Sequence, residues 1–253
     1  MKALLLTAAS RLELADLDLP ADGVGEVRIR IAACGICGSD VHGYTGATGR
    51  RIPPLVMGHE AAGTVDTLGA GVADLAPGDR VVLDSTVFCG ACAHCRADAE
   101  NLCTRREVLG VSCGQYRRHG CFAEFVTVPR RVVHPIPDAL DFVSAALLEP
   151  LTIALHAVRL GQAGPATRSA VVVGAGTIGL AVVAALVAQG VPRIAAIDLD
   201  EGRLGQARRL GATETFVAGE QAGAAAAQWG SSSPDTDGAD LVVEAVGSTP
   251  AVQ

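Results

Sequence analysis

The chain has 253 residues, long for one domain and comfortable for two, and 49% of them are hydrophobic, so a sizeable core can form. Only 3% are aromatic, which leaves aliphatic side chains and alanine to fill that core. A net charge of −7 with no basic run argues against nucleic acid or anionic membrane as the partner. The apolar start at Ala3 is cut off by Arg11 and Glu13, too early for a secretory signal. Ile178 to Val187 falls well short of the ~20 apolar residues a membrane helix needs. These features read as a soluble, cytoplasmic protein, in which 8 cysteines point to metal or catalysis rather than disulfides.

Along the chain, Leu12 and Leu14, then Leu17 and Leu19, alternate with polar residues in the period of a half-buried strand. Val27, Ile29 and Ile31 do the same against Glu26, Arg28 and Arg30. Gly, Pro and Asp punctuate these runs, as in Leu19 to Gly23 and Ala76 to Asp79, and further strands are expected at Arg80 to Leu83 and Phe122 to Val128. The first ~135 residues therefore read as a glycine-punctuated β-domain of the barrel kind.

Two groups of candidate metal ligands fall inside it. Cys37 opens Gly38-Ser39-Asp40-Val41-His42, Gly58-His59-Glu60 follows, and Leu148-Glu149-Pro150 lies further on. A soft thiolate, a borderline imidazole and a hard carboxylate are the donors of a catalytic zinc that keeps one position open. Cys34-x2-Cys37 also spells a redox pair, although no thioredoxin-like βαβ pattern surrounds it. The second group is Cys89-x2-Cys92-x2-Cys95-x7-Cys103. Four thiolates at these gaps close a tetrahedral site, so this zinc would be structural, within a lobe over residues 88–104. An iron–sulfur centre calls for a different spacing. Cys34, Cys113 and Cys121 have no such partners and read as small apolar core residues.

Beyond Pro137 the pattern turns helical. Asp141 is placed as an N-cap, Val143 and Leu147 share a face, and Leu151, Leu155 and Val158 continue one past Pro150. Gly161 to Ser169 is a candidate domain boundary. Ala170 to Val173 then runs as a strand into Gly174-Ala175-Gly176-Thr177-Ile178-Gly179 and an apolar helix reaching Gln189. A second strand, Arg193 to Ile197, ends in Asp198, which lies 19 residues past Gly179. In that context the glycines let a pyrophosphate approach a helix N-terminus, and the acid accepts the adenosine ribose hydroxyls. Asp198 favours NAD, since a 2′-phosphate would meet a like charge; Arg203 works against a strict preference. A helix over Glu201 to Leu210, a strand at Thr215 to Val217, a helix over Gln221 to Trp229 broken at Ser231 to Pro234, and a strand at Asp240 to Glu244 complete the reading. Leu241, Val242 and Val243 form a continuous apolar run, typical of a strand buried in a parallel sheet.

Taken together, Cys37-Gly38-Ser39-Asp40, the Gly58-His59-Glu60 stretch continuing through Gly63 and Gly69 to Val72, the four-cysteine lobe and the Gly174 to Gly179 fingerprint resemble the zinc-dependent medium-chain dehydrogenase/reductase family, over essentially the whole chain. Glu149-Pro150-Leu151 resembles its polyol (sorbitol) dehydrogenase branch. The resemblance implies a GroES-like catalytic domain over 1–150 and a Rossmann NAD-binding domain over 151–253. It implies two zinc ions per chain and hydride transfer from a polyol or other secondary alcohol to NAD. Cys37 and His59 would hold the catalytic zinc, with Glu60 or Glu149 as third ligand. Asp40 would orient His59, and Ser39 would pass the hydroxyl proton toward the cofactor ribose and His42. Gly174, Gly176, Thr177, Ile178, Gly179, Asp198 and Arg203 would meet the cofactor. Threonine or simple alcohols are the alternative substrates, and a remnant that binds zinc and nucleotide without turnover is the alternative of another class.

A doubly wound dinucleotide domain has six strands in the order 3-2-1-4-5-6, and the sequence supplies four. The segment with which family members finish the catalytic domain is also missing, as are the strands through which they dimerise. The expectation is a truncated Rossmann domain on a chain that is aggregation-prone as it stands. It would bind zinc, hold NAD weakly and turn over little, whereas the full-length form would be a homo-oligomer.

Overall fold

The computed structural model describes residues 1–113, 116–219 and 238–247, with the side chains of Cys113 and Tyr116 left aside, and it divides the chain into two units, Met1–Glu149 and Pro150–Gln253. The helix expected over Gln221 to Trp229, its break at Ser231 to Pro234 and the core role expected for the Cys113 side chain lie outside the described residues.

The first unit is antiparallel β-structure. In chain order it comprises β1 (Lys2–Ala8), β2 (Arg11–Asp16), β3 (Glu26–Gly35), α1 (Gly38–Tyr44), β4 (Leu55–Val56), β5 (Glu60–Leu68), β6 (Arg80–Leu83) and β7 (Thr86–Val87). It continues with α2 (Ala93–Arg96), β8 (Glu107–Val108), β9 (Val111–Cys113), β10 (Tyr116–Arg118), β11 (Phe125–Pro129), β12 (Val133–Pro135) and α3 (Phe142–Ala146). Five strands in the order β11-β3-β5-β6-β12 form a half-barrel sheet, and β2-β1-β4 form a second sheet. The alternation read in the sequence is what fills the interior: Val27 and Ile29 from β3, Val65 from β5, Val81 and Leu83 from β6, and Val126 and Val128 from β11 are buried in one cluster. The β3–β5 ladder shifts register between Arg28 and Ile29 and again between Ile31 and Ala33. Such bulges bend a strand and re-aim its side chains. Past them the register sets Gly35 opposite Glu60.

Three expected elements differ from those observed. β2 stops at Asp16, so Leu17 and Leu19 lie outside any strand. Their alternation is real, and Leu17 exchanges both backbone bonds with Met1, its amide donating to Met1 O and its carbonyl accepting from the Met1 amino group, but Pro20 then removes a donor. β11 begins at Phe125 rather than Phe122, because Phe122 is tied to other partners: its amide donates to Met57 O and its carbonyl accepts from Leu4. Val143 and Leu147 are both exposed, and α3 buries Ala145 and Ala146 instead. Five residues are too few for an apolar stripe to form. The Asp141 N-cap forms as read, its carboxylate accepting from Ser144 N.

The second unit is a doubly wound sheet. α4 (Leu148–Leu160) leads into it with Pro150 in its first turn, where a missing N–H breaks no hydrogen bond. Then follow β13 (Ser169–Val173), α5 (Thr177–Ala188), β14 (Arg193–Asp198), α6 (Glu201–Arg209), β15 (Glu214–Val217) and β16 (Leu241–Glu244). All pairings are parallel, in the order β15-β14-β13-β16. This reproduces the 3-2-1-4 part of the dinucleotide-binding order. Val172 and Ala196 pack with Val182 and Leu186 of α5 and Leu204 of α6. β16 departs from the expected buried run: Leu241 and Val243 are half-buried against the core, while Val242 is 60% exposed. Its helix-covered face alone contributes to packing.

Candidate metal and nucleotide sites

Cys37 is the N-cap of α1, and Asp40 closes the turn by accepting from the Cys37 amide at 3.2 Å. His59 immediately precedes β5 and Glu60 opens it. One ligand atom from each of Cys37, His59 and Glu60 lies within 4.8 Å of the others, with His59 and Glu60 buried. A Cβ at Gly35 would run into the Glu60 carboxylate, so the glycine across the ladder leaves the room that carboxylate occupies.

Asp40, 2% exposed, places Oδ1 at 3.6 Å from His59 Nδ1, a charge contact rather than a hydrogen bond. That nitrogen has no hydrogen-bond partner among the described residues. With Nδ1 turned to a carboxylate, Nε2 is the nitrogen left for a metal, the arrangement by which buried carboxylates orient ligating imidazoles. Burial disfavours the charged imidazole, but Asp40 and the Cys37 side chain outweigh it and raise the His59 pKa to about 10. Among the described residues three mixed donors converge here, a set that fits a zinc with an open position.

Glu149 is not one of the three converging donors, although His59 and Glu60 both act on its charge. Its carboxylate accepts from the Ser85 hydroxyl at 3.0 Å, and burial raises its pKa. Ser39 and His42 lie exposed on α1, and among the described residues the His42 side chain has no hydrogen bond. Cys34 is half-buried and Cys121 buried; burial pushes Cys34 up to about 12, the opposite of an activated redox thiol.

The sulfur atoms of Cys89, Cys92, Cys95 and Cys103 all lie within 4.8 Å of one another. Cys92 to Cys95 is 3.5 Å and Cys89 to Cys95 is 3.9 Å. A tetrahedron with metal–sulfur bonds of ~2.3 Å has edges of about 3.8 Å. Backbone amides point at the sulfurs: Cys89 N and Arg105 N donate to Cys103 Sγ, and Ala91 N to Cys89 Sγ. Such donors favour thiolates: the Ala91 amide draws Cys89, and the backbone of Cys95 and Thr104 draws Cys92, below an ordinary thiol, whereas burial and the neighbouring sulfurs push Cys95 up to about 11. The lobe fits a closed four-thiolate zinc.

In the second unit, Gly176 caps α5, so the amides of Gly176, Thr177, Ile178 and Gly179 have no intrahelical acceptor and can meet an anion. Gly174 has φ +94, and a Cβ at Gly179 would strike its carbonyl. Asp198, at the end of β14, accepts from Ala175 N at 2.6 Å and Asp200 N at 2.9 Å. A carboxylate has about four acceptor positions, so capacity for ribose hydroxyls remains. Arg203 Nη1 lies 3.9 Å from Asp198 Oδ1.

Two residues next to the metal-ligand candidates were not evident in the sequence. One is Ser85. The other is Arg51, buried, whose Nη2 donates to Ser39 Oγ at 3.1 Å and to Asp40 Oδ1 at 3.4 Å. Neither sits in a recognisable motif, and a lone serine or arginine gives no signal of its own.

A half-barrel unit with an open mixed-donor site and a closed thiolate site, followed by a parallel sheet with a dinucleotide fingerprint, defines the zinc-binding class of two-domain oxidoreductase folds. Residues 23–138 match the model for the alcohol dehydrogenase GroES-like domain, and residues 177–253 that for zinc-binding dehydrogenases. Galactitol 1-phosphate 5-dehydrogenase of Escherichia coli (strain K12) is 36% identical over 77% of this chain and 54% of its own length. An alcohol dehydrogenase structure from E. coli CFT073, complexed with NADH, is 33% identical with a TM-score of 0.85, covering 97% of this chain and 69% of that one. A zinc-binding dehydrogenase structure from Sinorhizobium meliloti 1021, bound to NADP, is 33% identical with a TM-score of 0.88, covering 100% and 71%. The chain belongs to the zinc-dependent medium-chain dehydrogenase/reductase family. It spans little more than half the length of the curated relatives it matches.

Proposed function

We propose that the protein is an NAD-dependent zinc dehydrogenase of polyols or other secondary alcohols. The observation that carries the reading is the convergence of one thiol, one imidazole and one carboxylate, the three donors found there among the described residues. Cys37, His59 and Glu60 would hold the catalytic ion, and Cys89, Cys92, Cys95 and Cys103 the structural one. When bound, the catalytic ion supplies Lewis acidity that lowers the pKa of an alcohol hydroxyl. The nicotinamide supplies the acceptor for hydride from the carbinol carbon.

The chain's own residues do the rest. Asp40 keeps the His59 ring in register. Ser39 takes the hydroxyl proton and hands it on toward the cofactor ribose and His42, three residues further on the same helix face. Glu149, fixed by Ser85, offers a second carboxylate to a substrate hydroxyl or a water. The α5 amides take the pyrophosphate and Asp198 the ribose, with Arg203 tempering the preference for NAD over NADP. The polyol preference is supported by Glu149-Pro150-Leu151 and by the galactitol-phosphate relative. A cytoplasmic setting and a homo-oligomer of the whole protein belong to the same reading; among the described residues no helix is long and apolar enough to cross a membrane.

NAD reduction by the whole protein across polyols, amino alcohols and primary alcohols tests this. Turnover greatest with a polyol is expected. Preference for threonine or ethanol would move the substrate assignment, and zinc and nucleotide binding without any turnover would make the protein a non-catalytic binder.

A further inference from the structure

Arg51 is a cation buried to 5% side-chain exposure, at the end of the connection between α1 and β4. It reaches the site because Gly43 has no side chain: a Cβ there would occupy the space of Arg51 Cγ. The two hydrogens of one nitrogen, Nη2, divide between Ser39 Oγ and Asp40 Oδ1. Nε has no hydrogen-bond partner among the described residues, so Arg51 is held by this one end.

The chemistry of the donor decides what the contact does. A guanidinium only donates. Ser39 Oγ must therefore accept from Arg51, and its own hydrogen has to point elsewhere, with one lone pair left to take another proton. Its other interaction is with Asp40, the carboxylate that faces His59. A buried ion pair adds little net stability once its desolvation is counted. The consequence of this one is directional.

We propose that Arg51 is a positioning residue that fixes the direction in which Ser39 gives and takes a proton and that steadies Asp40 against His59. The proposal rests on the dehydrogenase reading for its first half, and the second half stands without it.

The test uses the whole zinc-loaded protein and the variants Arg51→Met, Arg51→Lys, Ser39→Ala, Gly43→Ala and the Ser39→Ala/Arg51→Met double variant. Alcohol-dependent NAD reduction is measured alongside the rate at which a chelator strips zinc. Arg51→Met should lower kcat about tenfold to a hundredfold, as expected for a lost charge-assisted contact, with KM for NAD unchanged. In the double variant the loss should be no greater than for Ser39→Ala alone, within about twofold, because residues acting as one unit are not additive. Losses that multiply would overturn the link to Ser39. Arg51→Met should also release one zinc per chain faster, and unchanged release would overturn the link to Asp40. Arg51→Lys keeps the charge but not the fork, so it should recover zinc retention and not the rate; recovery of both would show that charge alone is supplied. Gly43→Ala should reproduce Arg51→Met, and a Gly43→Ala protein that behaves as the wild type would contradict the packing argument. If the wild-type protein reduces no NAD with any alcohol, the dehydrogenase reading falls, and zinc release still decides the Asp40 half.

Discussion

The hydroxyl of Ser85 donates to Glu149 Oε1 at 3.0 Å, and this bond separates two carboxylates whose sequence contexts are equally suggestive. Glu60 converges with Cys37 and His59, whereas Glu149 is not part of that group of three and accepts from the neutral Ser85 hydroxyl. Glu60→Ala should therefore cost one zinc per chain and Glu149→Ala none. Metal analysis of the purified variants checks this, and the reverse pattern would reassign the third ligand. Ser85→Ala should leave the zinc count intact while reducing turnover.

The four-cysteine lobe makes a separate prediction. Metal binding to four thiolates is folding free energy for the segment that carries them. Cys95→Ser should lose the structural zinc, loosen residues 88–104 and lower the melting temperature. Retention of both zinc ions with a normal melt would show that the lobe is not a metal site.

Much of this was legible in the sequence, for a physical reason. The Cys-x2-Cys spacings and the glycine fingerprint are local: the backbone within a few residues builds the site, so spacing alone reports it. Ser85 and Glu149 are 64 positions apart, and Arg51 matters only because Gly43 leaves space for its stem. Such pairings depend on the fold and leave no periodic trace. The misread strand at Leu17 and Leu19 has the complementary cause, since alternation names a face but does not extend the ladder past the Met1–Leu17 pair. At β16 an apolar triplet reads as doubly buried, yet Val242 faces outward while its neighbours pack inward.

Acid should probe the second unit through two carboxylates. Burial alone would raise the pKa of Asp198, but the amides of Ala175 and Asp200, with Arg203 nearby, hold it below the ordinary 3.8. Asp240 is held below 3.8 by the Arg168 side chain and then by its amide, a contact that ties the start of β16 to β13. A carboxylate with a depressed folded pKa contributes stability above its unfolded value and loses it as pH falls through the folded one. The wild-type protein should thus lose stability as the pH falls below about 4, and the Asp198→Asn/Asp240→Asn variant should lose less over the same descent. Equal acid slopes in denaturant titrations would refute the assignment.

Nucleotide binding and the reacting centre should separate by mutation. Asp198→Ala should weaken NAD binding about tenfold, the scale of a lost charged hydrogen bond, and narrow the gap to NADP. Cys37→Ala should leave NAD affinity close to the wild type, because the fingerprint and Asp198 belong to the other unit. Calorimetric titration with both nucleotides distinguishes the two effects. Similar losses from both substitutions would undo this division of labour.

The most direct measurement is zinc-dependent turnover: NADH formed from a polyol by the whole protein, before chelation, after removal of the labile zinc, and after zinc is restored, with His59→Ala alongside. The account predicts turnover that disappears with one zinc per chain, returns with it, and is absent in His59→Ala although NAD still binds. Turnover that survives loss of that zinc, or that persists in His59→Ala, would contradict it.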